Sequence, residues 1–373
     1  MRLGIFPMQL GRRAGGPETY EASLLPELVD LAPESSFTIY CLSAQAAAAA
    51  PGGRPHVRTR VLRPRSRWLS IPLSLPWRSW RDGIDLLHAT FIPPPVSPVP
   101  YVFTMHDVSM FEHPEFYPSA IRFRLTRLIE RGLRRARVVL CISEHCRRSV
   151  LERFDLDPER LLVAHHGVSP RFQPVADAAE RAAVLKRLGV EPPYLLHVGK
   201  YEPRKNLPRL LDAFARVASG SGAGVSLVLA GKPVWRDPSV AHAIARLGLA
   251  KRVVELGHVA DEDLPALYTE ALAFVFPTLW EGFGLPILEA MACGAPVVAS
   301  STTSLPEVAG DAALLVDPES VEALAAALER ILDEPALRDA LRQRGAARAA
   351  AFSWRRSAEA TLAAYRTALG VQR

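Results

Sequence analysis

The sequence predicts an α/β fold with two doubly wound domains, each built on a parallel β-sheet. Short apolar segments alternate with amphipathic helical segments along the whole chain, a pattern typical of parallel sheets covered by helices. The chain has 373 residues and contains more such apolar segments than one compact sheet holds. Because open α/β sheets bind ligands beyond the carboxyl ends of their strands, we expect the site in a cleft between the two domains.

The predicted strands form two series, separated by a stretch rich in proline and alanine at 169–191. The first series is 3–6, 37–42, 57–62, 86–89, 99–105, 138–142 and 161–164. The second is 194–198, 226–230, 253–256, 273–276, 296–299 and 313–316. Amphipathic helices are predicted at 17–31, 121–135, 144–154, 207–218, 238–247, 264–270, 321–332 and 353–369. We therefore predict an N-terminal domain at 1–172, a second domain at 173–350 and a last helical segment at 351–373.

The composition indicates a globular protein with a substantial core, since 49% of the residues are hydrophobic and 23% are charged. The net charge of +6 comes mainly from arginine, which reflects either a GC-rich coding sequence or a basic functional surface. The four cysteines lie in or beside apolar segments without a CxxC pair, as expected of buried thiols in a reducing compartment. The sequence shows neither a signal peptide nor a membrane span, so we predict a cytoplasmic protein.

The richest binding motif follows the apolar segment 271–276. A glycine-containing loop leads to a helix at Pro286, a residue suited to a first helical turn because it lacks an N–H group. The N–H groups of 283–285 would point out of the helix start, where anions bind. Glu281 and Glu289 flank this anion site and can accept hydrogen bonds from hydroxyl groups. A phosphorylated sugar or a nucleotide-sugar combines both chemistries.

Three cations follow the strand 194–198, namely Lys200, Arg204 and Lys205. Positive charges at a helix start oppose the helix dipole, which weakens the explanation that they form an ordinary solvated surface. A bound diphosphate whose charge they neutralise explains them better.

Two features of the first domain are candidate ligand contacts. His106 follows the strand 99–105 and either contacts a sugar hydroxyl group and the transition state or caps its strand. Gly15 and Gly16 precede a helix and either let a ligand approach the backbone or form a tight turn.

Two Asp-x-Asp sequences, 155–157 and 261–263, match a pattern that holds a divalent cation in some transferases. The first lies in a turn before Pro158 and the second begins a helix, so we predict that both cap these elements. We therefore expect no metal cofactor and assign the diphosphate charge to lysine, arginine and the helix dipole.

A basic surface is predicted on the helix 121–135, where apolar and arginine residues occupy opposite faces. The segment 63–81 adds Trp68, Trp77 and Trp80 among further arginines. Together they either dock on an anionic membrane surface or form core-packed helices with solvated arginines. Nucleic acid is not expected as a partner, because the sequence contains no recognition module.

These motifs together resemble the retaining glycosyltransferases of family 4. The resemblance rests first on Glu281 and Glu289 around the sequence Gly-Phe-Gly-Leu-Pro. It extends over nearly the whole chain through 15–18, 104–107, 141–144, 199–206, 304–308 and 310–313. It implies the GT-B fold, in which two Rossmann-like domains face a cleft and the last helix packs back on the N-terminal domain.

The resemblance also implies transfer of a hexose from a nucleoside-diphosphate sugar, with a preference for GDP-mannose, to a hydroxyl group of a glycan, lipid-linked or small-molecule acceptor. Glu289 would bind the donor ribose, Glu281 the transferred sugar and Lys205 the diphosphate. Arg204 or Lys200 would supply a second cation. The further donor contacts that it implies are His106 near the reacting centre, Gly16, His258, Val259, Gly282, Phe283, Gly284 and Leu285.

The implied reaction retains the anomeric configuration by attack of the acceptor on the face from which the phosphate leaves. Two alternatives remain: another GT-B enzyme such as a nucleotide-sugar 2-epimerase or a phosphorylase, and an inactive sugar-nucleotide-binding membrane scaffold. The presence of Glu281, Glu289, Lys205 and His106 argues against the scaffold. A hydride-transfer dehydrogenase is not supported, since neither first turn carries the dinucleotide fingerprint.

Overall fold

The computed structural model describes residues 1–12, 15–64, 66–117, 119–233 and 238–371, without the side chains of 119–121 and 124. The predicted contributions of Ile121 and Arg124 to the basic helix thus lie outside the described side chains. The chain forms two compact units, one of Met1–Gly167 with Ser353–Arg373 and the other of Val168–Phe352. Each unit contains one parallel sheet with helices, which confirms the predicted fold class.

The first unit contains a seven-stranded sheet. Its strands are β1 Arg2–Phe6, β2 Ser36–Cys41, β3 Val57–Val61, β4 Leu86–Ala89, β5 Tyr101–Met105, β6 Val138–Cys141 and β7 Leu161–Val163. The order is β3-β2-β1-β4-β5-β6-β7, and neighbouring strands are parallel. The chain order reverses between β1 and β4, where Phe6 pairs with Ala89. Open sheets bind ligands beyond the strand ends at such a point.

The helices of this unit begin with α1, whose first turn contains the Gly-Gly motif. They are α1 Gly16–Leu31, α2 Ala44–Ala49, α3 Arg67–Leu69, α4 Leu75–Arg81, α5 Ser109–Glu112, α6 Ser119–Arg135 and α7 Glu144–Arg153. A π-helical turn, Ser70–Ser74, joins α3 to α4. The predicted helices that start near residues 17, 121 and 144 are confirmed, whereas the helical segment 67–81 was not predicted.

The second unit contains a six-stranded sheet. Its strands are β8 Tyr194–Val198, β9 Ser226–Ala230, β10 Val253–Gly257, β11 Ala273–Phe276, β12 Val297–Ser300 and β13 Ala313–Val316. The order is β10-β9-β8-β11-β12-β13, with parallel neighbours. The chain order of the strands reverses between β8 and β11, where Phe274 pairs with Leu196.

The helices of the second unit are α8 Ala178–Leu188, α9 Leu207–Val217, α10 Ser239–Arg246, α11 Leu264–Glu270, α12 Leu285–Ala292, α13 Leu305–Ala309, α14 Val321–Asp333 and α15 Pro335–Ala350. Of these, α8 lies within the stretch 169–191, which the sequence pattern left without an element, and α15 lies between the predicted helices 321–332 and 353–369. The remaining helix, α16 Trp354–Leu369, belongs to the first unit and packs on α1 and on β4–β6. Among the described helices, none combines the length and the apolar character required to cross a bilayer.

A buried polar network joins α16 to the sheet of the first unit. His88 on β4 lies with Nδ1 2.6 Å from the Tyr365 hydroxyl group and with Nε2 2.7 Å from Thr104 Oγ1. The Tyr20 hydroxyl group of α1 lies 2.9 Å from the same Thr104 oxygen. Burial lowers the pKa of His88 to about 3, so its ring is neutral and uses one nitrogen as donor and the other as acceptor.

We expect the substitution Tyr365→Phe to lower the free energy of unfolding by about 1–3 kcal/mol, because it leaves a buried ring nitrogen of His88 without its partner. Urea denaturation of the purified protein measures this change. Thr367→Ala, at an exposed position of the same helix, should change stability by less than about 0.5 kcal/mol. Equal effects of the two substitutions would show that the network contributes nothing.

Candidate active site

The loops that follow β8 and β11 lie side by side, because the carboxyl ends of neighbouring parallel strands meet at the same edge of a sheet. The N–H group of Leu279 donates to the carbonyl oxygen of Arg204 at 2.7 Å. Asn206 Nδ2 donates to the carbonyl oxygens of Pro277 and Pro318 at 3.0 and 2.7 Å. Asn206 itself has a φ of 59°, a left-handed conformation that asparagine tolerates better than most residues. These contacts fix the cations of one loop against the other loop.

The centre of this arrangement is a carboxylate held by two cations. Glu281 Oε1 lies 2.5 Å from Lys205 Nζ and 2.8 Å from a terminal nitrogen of Arg204. Lys205 and Glu281 are 6% and 8% exposed, so these charges are largely removed from solvent. Arg204 also contacts Glu202 Oε2 at 2.8 Å through Nε. The structure thus brings together three of the predicted site residues.

The charges of this cluster depend on one another. Burial acts to raise the pKa of Glu281, but Arg204 and Lys205 outweigh it and the pKa is lowered. Burial lowers the pKa of Lys205 against the attraction of Glu281. Among the described residues, both cations contact Oε1 and none donates a hydrogen bond to Oε2. One carboxylate oxygen therefore faces the cations and the other can accept a hydrogen bond from a ligand.

The loop that carries Glu281 enters α12 through Gly284. This glycine has a φ of 98°, a backbone conformation that favours glycine, and a Cβ atom there would lie 2.6 Å from Leu305 Cδ2 and displace that side chain. Phe283 is buried and packs edge-on against Phe352. With Gly282 and Leu285, these residues form the predicted backbone site at the helix start, where N–H groups lack intrahelical acceptors.

Two hydroxyl residues that hold this loop were not predicted. The backbone N–H group of Glu281 lies 3.3 Å from Thr303 Oγ1. The Ser304 hydroxyl group donates to the carbonyl oxygen of Glu281 at 3.0 Å. The run of serine and threonine at 300–304, which begins with the last residue of β12, was the available signal, because β12 neighbours β11 in the sheet.

Glu289 lies within α12 in different surroundings. Burial raises the pKa of its carboxyl group to about 7, and the Tyr268 hydroxyl group lies 3.4 Å from Oε2. Asp261 also raises this pKa, which places the loop after β10 near Glu289. That loop contains His258, which is exposed, and Val259, which is buried. These three predicted residues therefore belong to one region of the second unit.

The remaining predicted cation, Lys200, is exposed. It follows Gly199, whose carbonyl oxygen would lie 1.8 Å from a Cβ atom on Gly231, so this close approach requires glycine at 231.

His197 was not predicted as a site residue. The His197 ring is buried, and its Nδ1 lies 3.0 Å from the carbonyl oxygen of Val275. A Cβ atom on Gly199 would contact both the His197 ring and the Lys205 side chain.

In the first unit, His106 follows β5 and is tied to the end of β4. Its Nε2 lies 2.8 Å from the carbonyl oxygen of Thr90, which can only accept, so Nε2 carries the hydrogen. Burial lowers the pKa of His106, and the neutral ring leaves Nδ1 as an acceptor. Gly16 begins α1, and no described atom lies within 4 Å of a Cβ atom placed there. The backbone at this helix start is therefore accessible to a ligand.

The two Asp-x-Asp sequences differ in their roles. Asp157 accepts a hydrogen bond from the N–H group of Glu159 at 2.9 Å, as predicted for a cap. Asp263 precedes α11 but makes no capping hydrogen bond. Its carboxylate instead binds Arg187 through two contacts of 2.8 Å, because a bidentate pair with a guanidinium group is stronger than a single backbone bond.

Comparison with known proteins supports the fold and identifies the family. The solved structure of sucrose-phosphate synthase from Thermosynechococcus elongatus superposes with a TM-score of 0.77 and 22% identity, covering 100% of both chains. Residues 183–348 match the family described as Glycosyl transferases group 1, and residues 14–172 match Glycosyltransferase Family 4. Two parallel-sheet Rossmann-like domains of this kind define the GT-B class of glycosyltransferases.

Two relatives from Escherichia coli are similar in sequence. The O-antigen chain mannosyltransferase B is 36% identical over 266 residues, which are 71% of this chain and 70% of the relative. The serotype-specific mannosyltransferase WbdA is 32% identical over 289 residues, 75% of this chain but 35% of WbdA. The chain belongs to glycosyltransferase family 4 and is a glycosyltransferase, which uses a nucleotide-sugar donor and a glycan acceptor.

We expect Lys205→Ala and Glu281→Ala each to lower turnover at least about a hundredfold, the scale of a lost charge-stabilising contact. Release of nucleoside diphosphate from the donor measures turnover. Lys186→Ala, which removes an exposed lysine of α8, is the matched control and should retain full activity. Near-normal turnover of both site variants, with melting points close to that of the unmodified protein, would contradict the assignment.

Proposed function

We propose that this protein is a retaining, metal-independent mannosyltransferase that transfers mannose from GDP-mannose to a hydroxyl group of a growing polysaccharide. The observation that carries the proposal is the buried carboxylate of Glu281, whose Oε1 contacts Lys205 and Arg204 and whose Oε2 receives no hydrogen bond from the described residues. The relatives that are named mannosyltransferases support the sugar, and one of them supports a polysaccharide acceptor through its O-antigen name.

The cations of this cluster match the charge that develops during transfer. As the bond between the sugar and the phosphate breaks, negative charge grows on the leaving diphosphate. Lys205 and Arg204 stabilise it in a site with little solvent, where such contacts are strongest. Because these side chains supply the positive charge, the proposed reaction uses no metal ion. Glu281 Oε2 accepts hydrogen bonds from hydroxyl groups of the mannose.

Retention follows from attack on the face from which the diphosphate leaves. The acceptor oxygen forms its bond to the anomeric carbon as the bond to the phosphate oxygen breaks. The proton of the acceptor hydroxyl group passes to the departing phosphate. His106, neutral with Nδ1 as acceptor, receives a hydrogen bond from a donor-sugar hydroxyl group near this carbon, and Gly16 contacts the phosphate.

The region around Glu289 suits the nucleoside end of the donor. Its carboxyl group accepts hydrogen bonds from the ribose hydroxyl groups, and the backbone at His258 and Val259 contacts the base. The backbone at the start of α12, from Gly282 to Leu285, contacts the phosphate and the sugar. Lys200 is the alternative to Arg204 as the second cation.

GDP should raise the melting temperature of the protein more than UDP, ADP or dTDP at equal concentration, because a ligand that binds the folded state stabilises it. Incubation with radiolabelled GDP-mannose and a polysaccharide acceptor should then give an α-linked product. A labelled nucleotide-sugar epimer as the product would indicate the epimerase alternative, and binding without turnover would indicate the scaffold. Preference for another nucleotide would overturn the assignment of GDP-mannose.

We also propose that the enzyme works as a peripheral protein on the cytoplasmic face of a membrane, bound through the segment 67–81. Its buried face contains Ile71 and Leu75. A second apolar stripe faces solvent and consists of Leu69, Leu73, Trp77 and Trp80, which recur at helical spacing. Trp68 lies beside this stripe, and each of the five side chains is between 46% and 66% exposed. Residues 63–81 contain five arginines and no acidic residue. Exposed tryptophan and leucine among arginines match the chemistry of an anionic lipid surface.

Wild-type protein should float with phosphatidylglycerol vesicles at low salt and should not float with phosphatidylcholine vesicles. The double substitution Trp77→Ser with Trp80→Ser should weaken vesicle binding at least about tenfold, equivalent to about 1.4 kcal/mol. Val96→Ser, which changes another exposed apolar residue, is the control and should bind as wild type does. Failure of the wild-type protein to bind anionic vesicles at low salt would contradict the proposed surface.

A further inference from the structure

A carboxyl group lies in the core of the first unit, on the helix that begins at the Gly-Gly motif. Glu21 is 1% exposed and shares the buried face of α1 with Tyr20, Leu24 and Leu25. Among the described residues, none forms an ion pair with this carboxyl group, whose side-chain contacts are to Gln9 and Thr90. An ionised carboxylate is costly in such surroundings unless it is paired. The position therefore favours a neutral carboxylic acid.

Hydrogen bonds hold both carboxyl oxygens of Glu21. Oε2 accepts from the backbone N–H group of Gln9 at 2.7 Å. Oε1 lies 2.5 Å from Thr90 Oγ1, which lies 3.0 Å from the carbonyl oxygen of Phe6. The Phe6 oxygen also lies 3.5 Å from the backbone N–H group of Thr90. The contact between Oε1 and Thr90 Oγ1 can therefore form in two ways: Thr90 donates to a carboxylate, or a neutral carboxylic acid donates to Thr90.

These contacts connect Glu21 to two residues of the proposed donor site. Thr90 accepts the Nε2 hydrogen of His106 through its own carbonyl oxygen. Gln9 lies in the loop between β1 and α1, the loop that leads to Gly16. We propose that Glu21, as a neutral carboxylic acid, is a positioning residue that holds Thr90 and this loop so that His106 and Gly16 meet the donor. The inference rests on the proposed function of His106 and Gly16.

The pKa values of Glu21 and of the titratable groups around it support the neutral form of Glu21. Burial raises the pKa of Glu21 to about 8, against hydrogen bonds from Thr90 and from the backbone N–H groups of residues 8–10. The titratable groups that interact with it are Tyr20 on α1 and Cys41 at the end of β2, and burial raises the pKa of both, that of Cys41 to about 12. Burial lowers the pKa of His106. Of these four groups, Glu21 is the one that titrates between about pH 7 and 9.

The variants Glu21→Gln and Glu21→Leu separate positioning from packing. Glutamine can accept from Gln9 and donate to Thr90, as the neutral acid does, whereas leucine fills the space and makes neither bond. We expect kcat/KM at pH 7 to fall no more than about threefold in E21Q and about a hundredfold in E21L. The wild-type kcat/KM should fall as the pH rises through about 8, and E21Q should lack this fall.

A measurement without donor tests the same protonation independently of catalysis. The carboxyl group ionises near its ordinary pKa of 4.5 when unfolded and near 8 when folded. Wild type should therefore lose thermal stability relative to E21Q as the pH rises from about 4.5 to about 8, and the difference should stop growing above that pH. The melting temperature of both proteins across pH 4–10 gives this curve.

The outcomes distinguish failure of this inference from failure of the proposed function. Parallel melting curves of wild type and E21Q across this pH range would overturn the neutral acid. An E21L variant that folds and keeps the activity of E21Q would overturn the positioning role. If wild type transfers no sugar from any donor but the melting curves diverge as expected, the proposed function fails and the protonation of Glu21 stands.

Discussion

The contact of Glu281 with Lys205 and Arg204 is the interaction on which the binding loops of the second unit depend. Two neighbouring cations on one loop repel each other, and burial of Lys205 adds a desolvation cost. A carboxylate from the next strand end offsets both, and removal of either partner of such a pair leaves a costly unpaired charge. The loops after β8 and β11 are therefore fixed relative to each other before any donor binds, which lowers the entropic cost of binding.

The first unit meets the same requirement without charge. Its sheet also reverses chain order, between β1 and β4, and the residues beyond these strand ends must be held in place. Here the connection runs from Glu21 through Thr90 to His106, with Glu21 as the neutral acid proposed above. A neutral network is suitable there because no cation of the described residues forms an ion pair with Glu21. The second unit thus positions its site residues by an ion cluster, whereas the first unit positions its site residues by hydrogen bonds.

The sequence predicted the strands well, because parallel strands buried on both faces read as continuous apolar segments. The limits of β4, β8, β9, β11 and β13 agree with the predictions. The helical segment 67–81 was missed because it is apolar on two faces and carries prolines, so its pattern lacks a clear amphipathic period. The stretch 169–191 concealed α8 because its alanines and prolines resemble those of a linker.

The candidate site was predictable as a set of residues but not as a set of contacts. Lys205 and Glu281 are far apart in sequence, and only the adjacency of β8 and β11 brings them together. Glu21 carried a signal that was overlooked, since it lies in register with Leu24, Leu25 and Leu28 on the buried face of α1. A carboxylate in an apolar helical stripe is costly, and such a cost usually indicates a role.

The pairing of Glu281 with Lys205 also changes the binding roles proposed for these two side chains. The sequence suggested that the carboxylate serves the sugar and the cations serve the diphosphate, as separate contacts. In the structure the same Nζ atom that would meet the diphosphate already contacts Glu281. An ammonium group has three donor hydrogens, so Lys205 can keep Glu281 while it binds the phosphate.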